Sequence, residues 1–194
     1  SEMPELGNNI IEGDFLKLNL NEVYPEGAFS VIGNYPYNIS SQIFFKVLEY
    51  KDHIPICSGM IQKEVAVRMQ EGPGSKDYGA LSLAVAFYSK AQVKMIVSPN
   101  CFIPRPNVDS AVIRLDKYET APISVKDPSK MFRIIKGASE QRRKTLLNSL
   151  SHSASCSFDK QKVEEDLVNM NKNVNIRGEE LTLEEFALLS DILE

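Results

Sequence analysis

The sequence predicts an α/β protein, with a layered sheet and its helices over residues 1–118 and a small all-helical domain over 119–194. Three observations predict it. Between Asn9 and Tyr118, short β-type runs alternate with stretches of helical period, the pattern of a sheet with crossover helices. That stretch closes on two alternating runs, Val93–Val97 and Ala111–Leu115, a hairpin-like pair. After about Glu119 the β signal stops, and apolar residues recur at helical spacing.

The elements follow in order. Asn9–Phe15 (NIIEGDF) is a β-type run ending in Gly-Asp. Phe29–Gly33 (FSVIG) is almost wholly apolar, as a strand buried on both faces requires. Ser40 or Ser41 caps a helix with Ile43, Phe44, Val47 and Leu48 on one face. Ile56–Ile61 is a third strand. Lys63–Gln70 is a helix ended by Gly72–Gly74, and Ala80–Tyr88 is another helix. Val93, Met95 and Val97 alternate with Lys94 and Ile96, a half-buried strand. Phe102–Val108 is a Pro-punctuated loop. The last strand, around Ala111, Ile113 and Leu115, is antiparallel to its predecessor. In the second part, Ser129 caps a helix with Phe132, Ile135 and Ala138 inward. Val163, Leu167 and Met170 fall at i, i+4, i+7, and Thr182-x-x-Glu185 is a capping box before Phe186, Leu189 and Ile192. Ser149–Ser157 is Ser-rich and reads as a loop.

Composition bounds the function. The chain has 194 residues, 43% hydrophobic and 25% charged, as ordinary globular domains are. No apolar run approaches the roughly 18 residues of a membrane span, so no membrane partner is expected. No charged segment with an apolar core follows Ser1, so no leader is expected. Cys57, Cys101 and Cys156 are far apart and never in C-x-x-C, which argues for a reducing, cytoplasmic compartment rather than disulfides or zinc. His53 and His152 lack Cys or carboxylate partners at ligand spacing, so no metal is expected.

Asn34-Tyr35-Pro36-Tyr37 carries the most chemistry. It follows an apolar strand and precedes a helix, and ligands of α/β sheets bind at strand carboxyl ends. An exocyclic ring amine such as adenine N6 is a poor nucleophile, because its lone pair is delocalised. A site that accepts both of its hydrogens draws the nitrogen toward sp³ and frees the lone pair. Asn34 supplies an amide oxygen, and Tyr35 or Pro36 a backbone carbonyl. Pro36 fixes φ and holds the turn, and Tyr37 can stack on a base. The same tetrapeptide also fits a plain strand-to-helix turn. Gly13-Asp14 ends the preceding run, and its carboxylate could accept from a cofactor amine. Pro104 and Pro106 stiffen a loop that could present Phe102 as a second stacking wall.

Four ordered motifs, N-Y-P-Y-N-I-S (34–40), F-I-P-R-P-N-V-D-S-A-V (102–112), Q-R-R-K-T-L (141–146) and R-G-E-E-L-T-L-E-E-F (177–186), resemble the bacterial small-subunit rRNA adenine N6-dimethyltransferases, relatives of the erythromycin-resistance rRNA methylases. The resemblance runs from about Asn9 to Glu194. It implies a Rossmann-like fold, S-adenosylmethionine as cofactor, and dimethylation at N6 of two adjacent adenosines in small-subunit rRNA. It implies that Asp14 and Asn34 contact the cofactor, that Asn34 with the backbone of Tyr35 and Pro36 grips the amine, and that Tyr37 and Phe102 sandwich the base. The target base must leave its stack, which costs less in an RNA loop than in a duplex.

The family pattern also has an initial strand and a G-x-G-x-G turn. Here the ten glycines include only Gly72-x-Gly74, which follows a helix. The sequence thus resembles a member lacking its N-terminal ~80–100 residues, about the first half of a dinucleotide-type fold. A bare sheet edge beside Phe29–Gly33 or Asn9–Gly13, weak cofactor binding, low activity and self-association are the expected consequences.

The net charge of −4 argues against nucleic acid when taken over the whole chain. Its distribution argues otherwise. Lys130, Arg133, Lys136, Arg142, Arg143 and Lys144 stand against Glu140 alone, a local net of +5 that leaves the remainder near −9. Such a cluster can neutralise RNA phosphates, and Lys63 and Arg105 join the same surface. The small ribosomal subunit or its rRNA is the expected partner. Two other functions fit parts of the pattern. A non-catalytic rRNA-binding assembly module needs the basic cluster alone. DNA adenine methylation uses a similar tetrapeptide, but the C-terminal motifs disfavour it.

Overall fold

A computed structural model of the chain describes residues 9–193. Four strands form one mixed sheet: β1 (Val31–Asn34), β2 (Ile56–Gln62), β3 (Ser89–Val97) and β4 (Ser110–Lys117), in the order β1-β2-β4-β3. β1 and β2 are parallel, and β4 is antiparallel to both β2 and β3. Eight α-helices accompany them among the described residues: α1 (Leu20–Val23), α2 (Ser40–Glu49), α3 (Lys63–Arg68), α4 (Ala80–Tyr88), α5 (Pro128–Glu140), α6 (Leu146–Ser151), α7 (Lys160–Asn169) and α8 (Leu183–Ile192).

Alternation sets the faces of the sheet. Cys57 and Ile61 of β2 share a face with Ala111, Ile113 and Leu115 of β4, through the pairs Cys57↔Leu115 and Ile61↔Ala111. That face packs on Ile43, Phe44 and Val47 of α2 and on Leu81, Ala84 and Val85 of α4. Met131, Ile134 and Ile135 of α5, Leu146 and Leu150 of α6, Leu167 of α7 and Phe186 of α8 form a second core. α4 serves both, because its Leu83 and Phe87 belong to the second. A helix reading ALSLAVAFY is apolar all round and is accordingly buried on most sides.

Several expectations are corrected. Asn9–Phe15 is not a strand: it runs irregularly into a 3-10 turn at Phe15–Lys17. No described strand lies alongside to satisfy its backbone, and Ile10 and Ile11 are exposed. β1 is not buried on both faces. It pairs with β2 alone among the described residues, and Ile32, on the face away from α2 and α4, is 80% exposed. β3 does not alternate cleanly, because a bulge between Val93 and Met95 leaves both Met95 and Ile96 exposed. α2 begins at Ser40 with Ile39 in the cap position and no side-chain cap. Asp127, not Ser129, caps α5, accepting from the Lys130 N–H at 3.0 Å. The Ser-rich stretch is helical up to Ser151, because Thr145 caps α6 and Leu146, Leu147 and Leu150 have a core to enter. The Thr182/Glu185 capping box closes in both directions, at 3.2 and 3.0 Å.

Candidate active site

Asn34 is the last residue of β1, opposite Met60. Two residues further along β2, Gln62 pairs with Ser110, the first residue of β4. The carboxyl ends of both parallel strands and the 98–109 loop therefore meet at one end of the sheet, where α/β folds bind ligands.

Tyr35 turns inward there. Its N–H donates to the Met60 carbonyl at 3.0 Å, and its hydroxyl donates to the Ser58 carbonyl at 3.0 Å. Its ring meets Phe44 edge-on at 5.4 Å. Burial pushes the phenol well above its ordinary pKa. The ring fits because two glycines make room: a Cβ on Gly33 would stand 2.5 Å from the ring, and one on Gly59 would stand 2.5 Å from the Gly33 carbonyl. The Tyr35 side chain is thus a core anchor that sets where β1 ends.

The turn after it is wired locally. The Pro36 carbonyl accepts from the Ile39 N–H at 3.2 Å, and the Tyr37 carbonyl accepts from the Ser40 hydroxyl at 3.2 Å. Among the described residues, the Tyr35 carbonyl accepts no such bond. Of the two carbonyls open from sequence, Tyr35's is therefore the one free to work beside the exposed Asn34 amide.

Tyr37 is half-buried, and its hydroxyl hydrogen-bonds Ser110 Oγ. That contact joins the tetrapeptide to the strand that follows the Phe102 loop. Sequence reasoning gave Ser110 no role, although it lies within the 102–112 motif, because its partner is 73 residues away. Phe102 is half-buried, and its N–H donates to the Pro99 carbonyl at 3.2 Å. Lys63 is tied to the same loop: its ammonium meets the Asp109 carboxylate at 3.2 Å, and its N–H donates to the Asp109 carbonyl at 3.0 Å. An open cleft of about 360 Å³ lies beside them, lined by Val67, Val108 and Asp77 among others. Arg105 is exposed on the loop.

Asp14 is exposed and caps the Phe15–Lys17 turn, accepting from the Leu16 N–H at 3.0 Å with Lys17 at 3.7 Å. The turn is held to α2 through Lys46 Nζ, which donates to the Leu16 carbonyl at 2.9 Å. Asp14 Oδ1 takes the Leu16 bond, and its Oδ2 faces the Lys17 ammonium.

The structure divides the basic cluster. Arg133 and Lys136 are exposed on α5, and Arg143 and Lys144 are exposed in the turn before α6. Lys130 is not free in the same sense, since its ammonium donates to the Leu193 carbonyl behind α8. Arg142 Nη2 donates to the carbonyls of Lys76 at 2.6 Å and Tyr78 at 2.8 Å. Neither commitment is visible in sequence, because the acceptors are backbone atoms more than 60 residues away.

This sheet, with an Asn-Tyr-Pro-Tyr turn at the end of its edge strand, defines a Rossmann-like α/β protein with a helical appendage. Solved structures share the fold. A dimethyladenosine transferase from Plasmodium falciparum aligns at TM-score 0.72 and 24% identity, over 97% of this chain and 74% of that one. The 23S rRNA methyltransferase ErmE aligns at TM-score 0.64 and 19% identity, over 98% and 75%. Proteins named ribosomal RNA small subunit methyltransferase A are similar in sequence. The one from Lachnoclostridium phytofermentans is 46% identical over 191 residues, and the one from Phocaeicola vulgatus is 47% identical over 192. The match covers 95% and 98% of this chain and 65% of each relative, so the chain spans a little under two thirds of their length. The model of the ribosomal RNA adenine dimethylase family matches residues 4–191, and the chain belongs to that family.

Proposed function

We propose that the full-length protein carrying these residues transfers methyl groups from S-adenosylmethionine to N6 of two adjacent adenosines in small-subunit rRNA. The observation that carries this reading is the free pair of acceptors at the end of β1, the Asn34 amide and the Tyr35 carbonyl, in a chain 46% identical to a named small-subunit rRNA methyltransferase. The residues present fit the adenine end of such a cofactor, through the exposed Asp14 carboxylate and the exposed Asn34 amide. No residue in the sequence supplies the Gly-rich turn that grips its other end.

The bound cofactor supplies an electrophilic methyl group on a sulfonium. The chain's own residues prepare the nucleophile. Asn34 Oδ1 and the Tyr35 carbonyl accept the two N6 hydrogens and turn the lone pair outward. Tyr37, held by Ser110, stacks on the base, and Phe102 approaches from the opposite loop. Positioning and exclusion of water supply the rate, with no covalent enzyme intermediate. Arg133, Lys136, Arg143 and Lys144, with Lys63 and Arg105 nearer the site, face the rRNA phosphates, and the protein acts in the cytoplasm.

Incubating the full-length protein with tritium-labelled cofactor and undermethylated small subunits tests this. Label in dimethyladenosine, lost in Asn34→Ala, is the expected result. Tight rRNA binding without any label would instead establish a non-catalytic assembly module.

A further inference from the structure

The 72–79 loop runs from α3, at the strand-end side of the sheet, to the start of α4, and it is stitched to the helical part of the chain. The Gly74 N–H donates to the Glu179 carbonyl at 2.7 Å, and the Tyr78 hydroxyl donates to the Leu181 carbonyl at 3.0 Å. Arg142 closes the seam. Its Nη2 donates to the carbonyls of Lys76 and Tyr78, and the same nitrogen lies 3.6 Å from the Glu179 carboxylate. Gly178 is packed so closely on Ala138 that a Cβ would stand 2.8 Å from that side chain, so α5 joins the same seam.

We infer that Arg142 is a positioning residue: it clamps the 72–79 loop to the helical part and thereby sets the distance between the phosphate contacts at Arg143 and Lys144 and the Asn34 end of the sheet. The inference rests on the rRNA reading for the role of Arg143 and Lys144. A guanidinium has five N–H donors in a fixed fork. Two of Arg142's are used on carbonyls, and charge-assisted bonds of this kind are the strong ones. The two residues that follow carry no such bond among the described residues and project from a turn whose first side chain is pinned. A lysine, with one shorter arm, does not span the two carbonyls and the Glu179 carboxylate together.

The test uses the full-length protein, naked small-subunit rRNA as the probe, and trypsin cleavage after the exposed Lys76 as a reporter of loop opening. Arg143→Ala should flatten the slope of log affinity against log salt by about 0.7–0.9, the loss of one phosphate contact, with Lys76 cleavage unchanged. Arg142→Ala should leave that slope at the parental value, raise Lys76 cleavage about tenfold and lower kcat/KM for methylation. If Arg142→Ala flattens the slope as Arg143→Ala does while Lys76 cleavage stays parental, the clamp is overturned. Should Arg142→Ala fail to fold, Arg142→Lys decides: faster Lys76 cleavage upholds the clamp and parental cleavage overturns it. If the parent itself binds no rRNA, the functional reading falls, and Lys76 cleavage alone judges the clamp.

Discussion

The Tyr35 ring lies in a slot between Gly33 and Gly59, on two strands that pair Gly33 with Gly59 directly. The slot ties the packing of the sheet to the site, because Tyr35 and the site residue Asn34 are neighbours in the chain. Gly59→Ala should push the ring out or spread β1 from β2. Overpacking of this kind costs about 1–3 kcal/mol, which lowers Tm by roughly 2–4 °C per kcal/mol in a chain of this size. Calorimetry checks the stability, and methylation by the full-length variant should fall with it. Tyr35→Phe loses the hydroxyl's bond to the Ser58 carbonyl and its contact with Cys57 Sγ, about 0.5–1.5 kcal/mol for each bond. It should keep near-parental activity, and a large loss of kcat there would put the Tyr35 hydroxyl in the chemistry.

Asn34→Ala removes the amide acceptor and leaves the Tyr35 carbonyl in place. The expected result is a drop in kcat of about 10²–10³-fold, the usual cost of one preorganised polar contact to the reacting group. Affinity for rRNA should hold within about twofold, since no phosphate contact is lost. Equal losses in binding and turnover would move Asn34 from chemistry to docking.

Tyr37 separates stacking from tethering. Tyr37→Phe keeps the ring and loses the Ser110 contact. Tyr37→Ala loses the ring and with it about 1–3 kcal/mol of base stacking. Steady-state kinetics should show KM rising by roughly 5–150-fold for the alanine variant, the same energy as a binding ratio, and a smaller change in kcat for phenylalanine. Identical behaviour of both would make the hydroxyl, not the ring, the working group.

Much of this site was legible because its parts are local. Asn34-Tyr35-Pro36-Tyr37 follows an apolar run and opens a helix with an evident face, so the sequence places it at a strand end. The capping box at Thr182 and Glu185 is legible for the same reason. What failed depended on partners far along the chain. Asn9–Phe15 has β composition but no neighbouring strand among the described residues, and a strand without a ladder is not stable. Ile32 reads as buried because the residues around it are apolar, yet exposure is decided by what covers its face. Arg142 reads as one of six clustered cations, and the carbonyls that capture it carry no side-chain signature. Asp127 outranked Ser129 as a cap because Pro128, with no N–H to satisfy, takes the first helical position.

Cys57 gives the fold a pH dependence. Burial pushes its thiol up to about 11, against 9.0 for a free one, outweighing the hydrogen bond shared with Tyr35, which pulls it down. Below pH 9 the thiol is protonated in both states, and its burial costs no ionisation. Between 9 and 11 the unfolded chain releases this proton and the native chain keeps it, so stability falls as pH rises, by about 1.4 kcal/mol per pH unit at most. Urea unfolding at pH 8, 9 and 10 should show the decline, and Cys57→Ala should flatten it. An equal decline in both would assign the effect to other groups.

In a polypeptide of these 194 residues, β1 has one partner strand among the described residues, Ile32 on its outer face is 80% exposed, and Ile10 and Ile11 in the preceding segment are exposed too. An open edge with uncovered apolar side chains templates pairing with another chain. This polypeptide should therefore self-associate at micromolar concentration, and sedimentation velocity should show species heavier than 21.8 kDa. Lysine on an edge strand opposes such pairing through charge and hydration. Ile32→Lys leaves the core untouched, because Ile32 faces away from α2 and α4, so it should restore the monomer without lowering Tm. Association that survives Ile32→Lys would have to use another surface. The next to test is the groove between α2, α4 and α5, about 620 Å³, where Phe45 is exposed beside the stacked rings of Tyr88 and Phe132. Phe45→Lys probes it directly, and loss of association in that variant alone would transfer the contact from the sheet edge to the helical face.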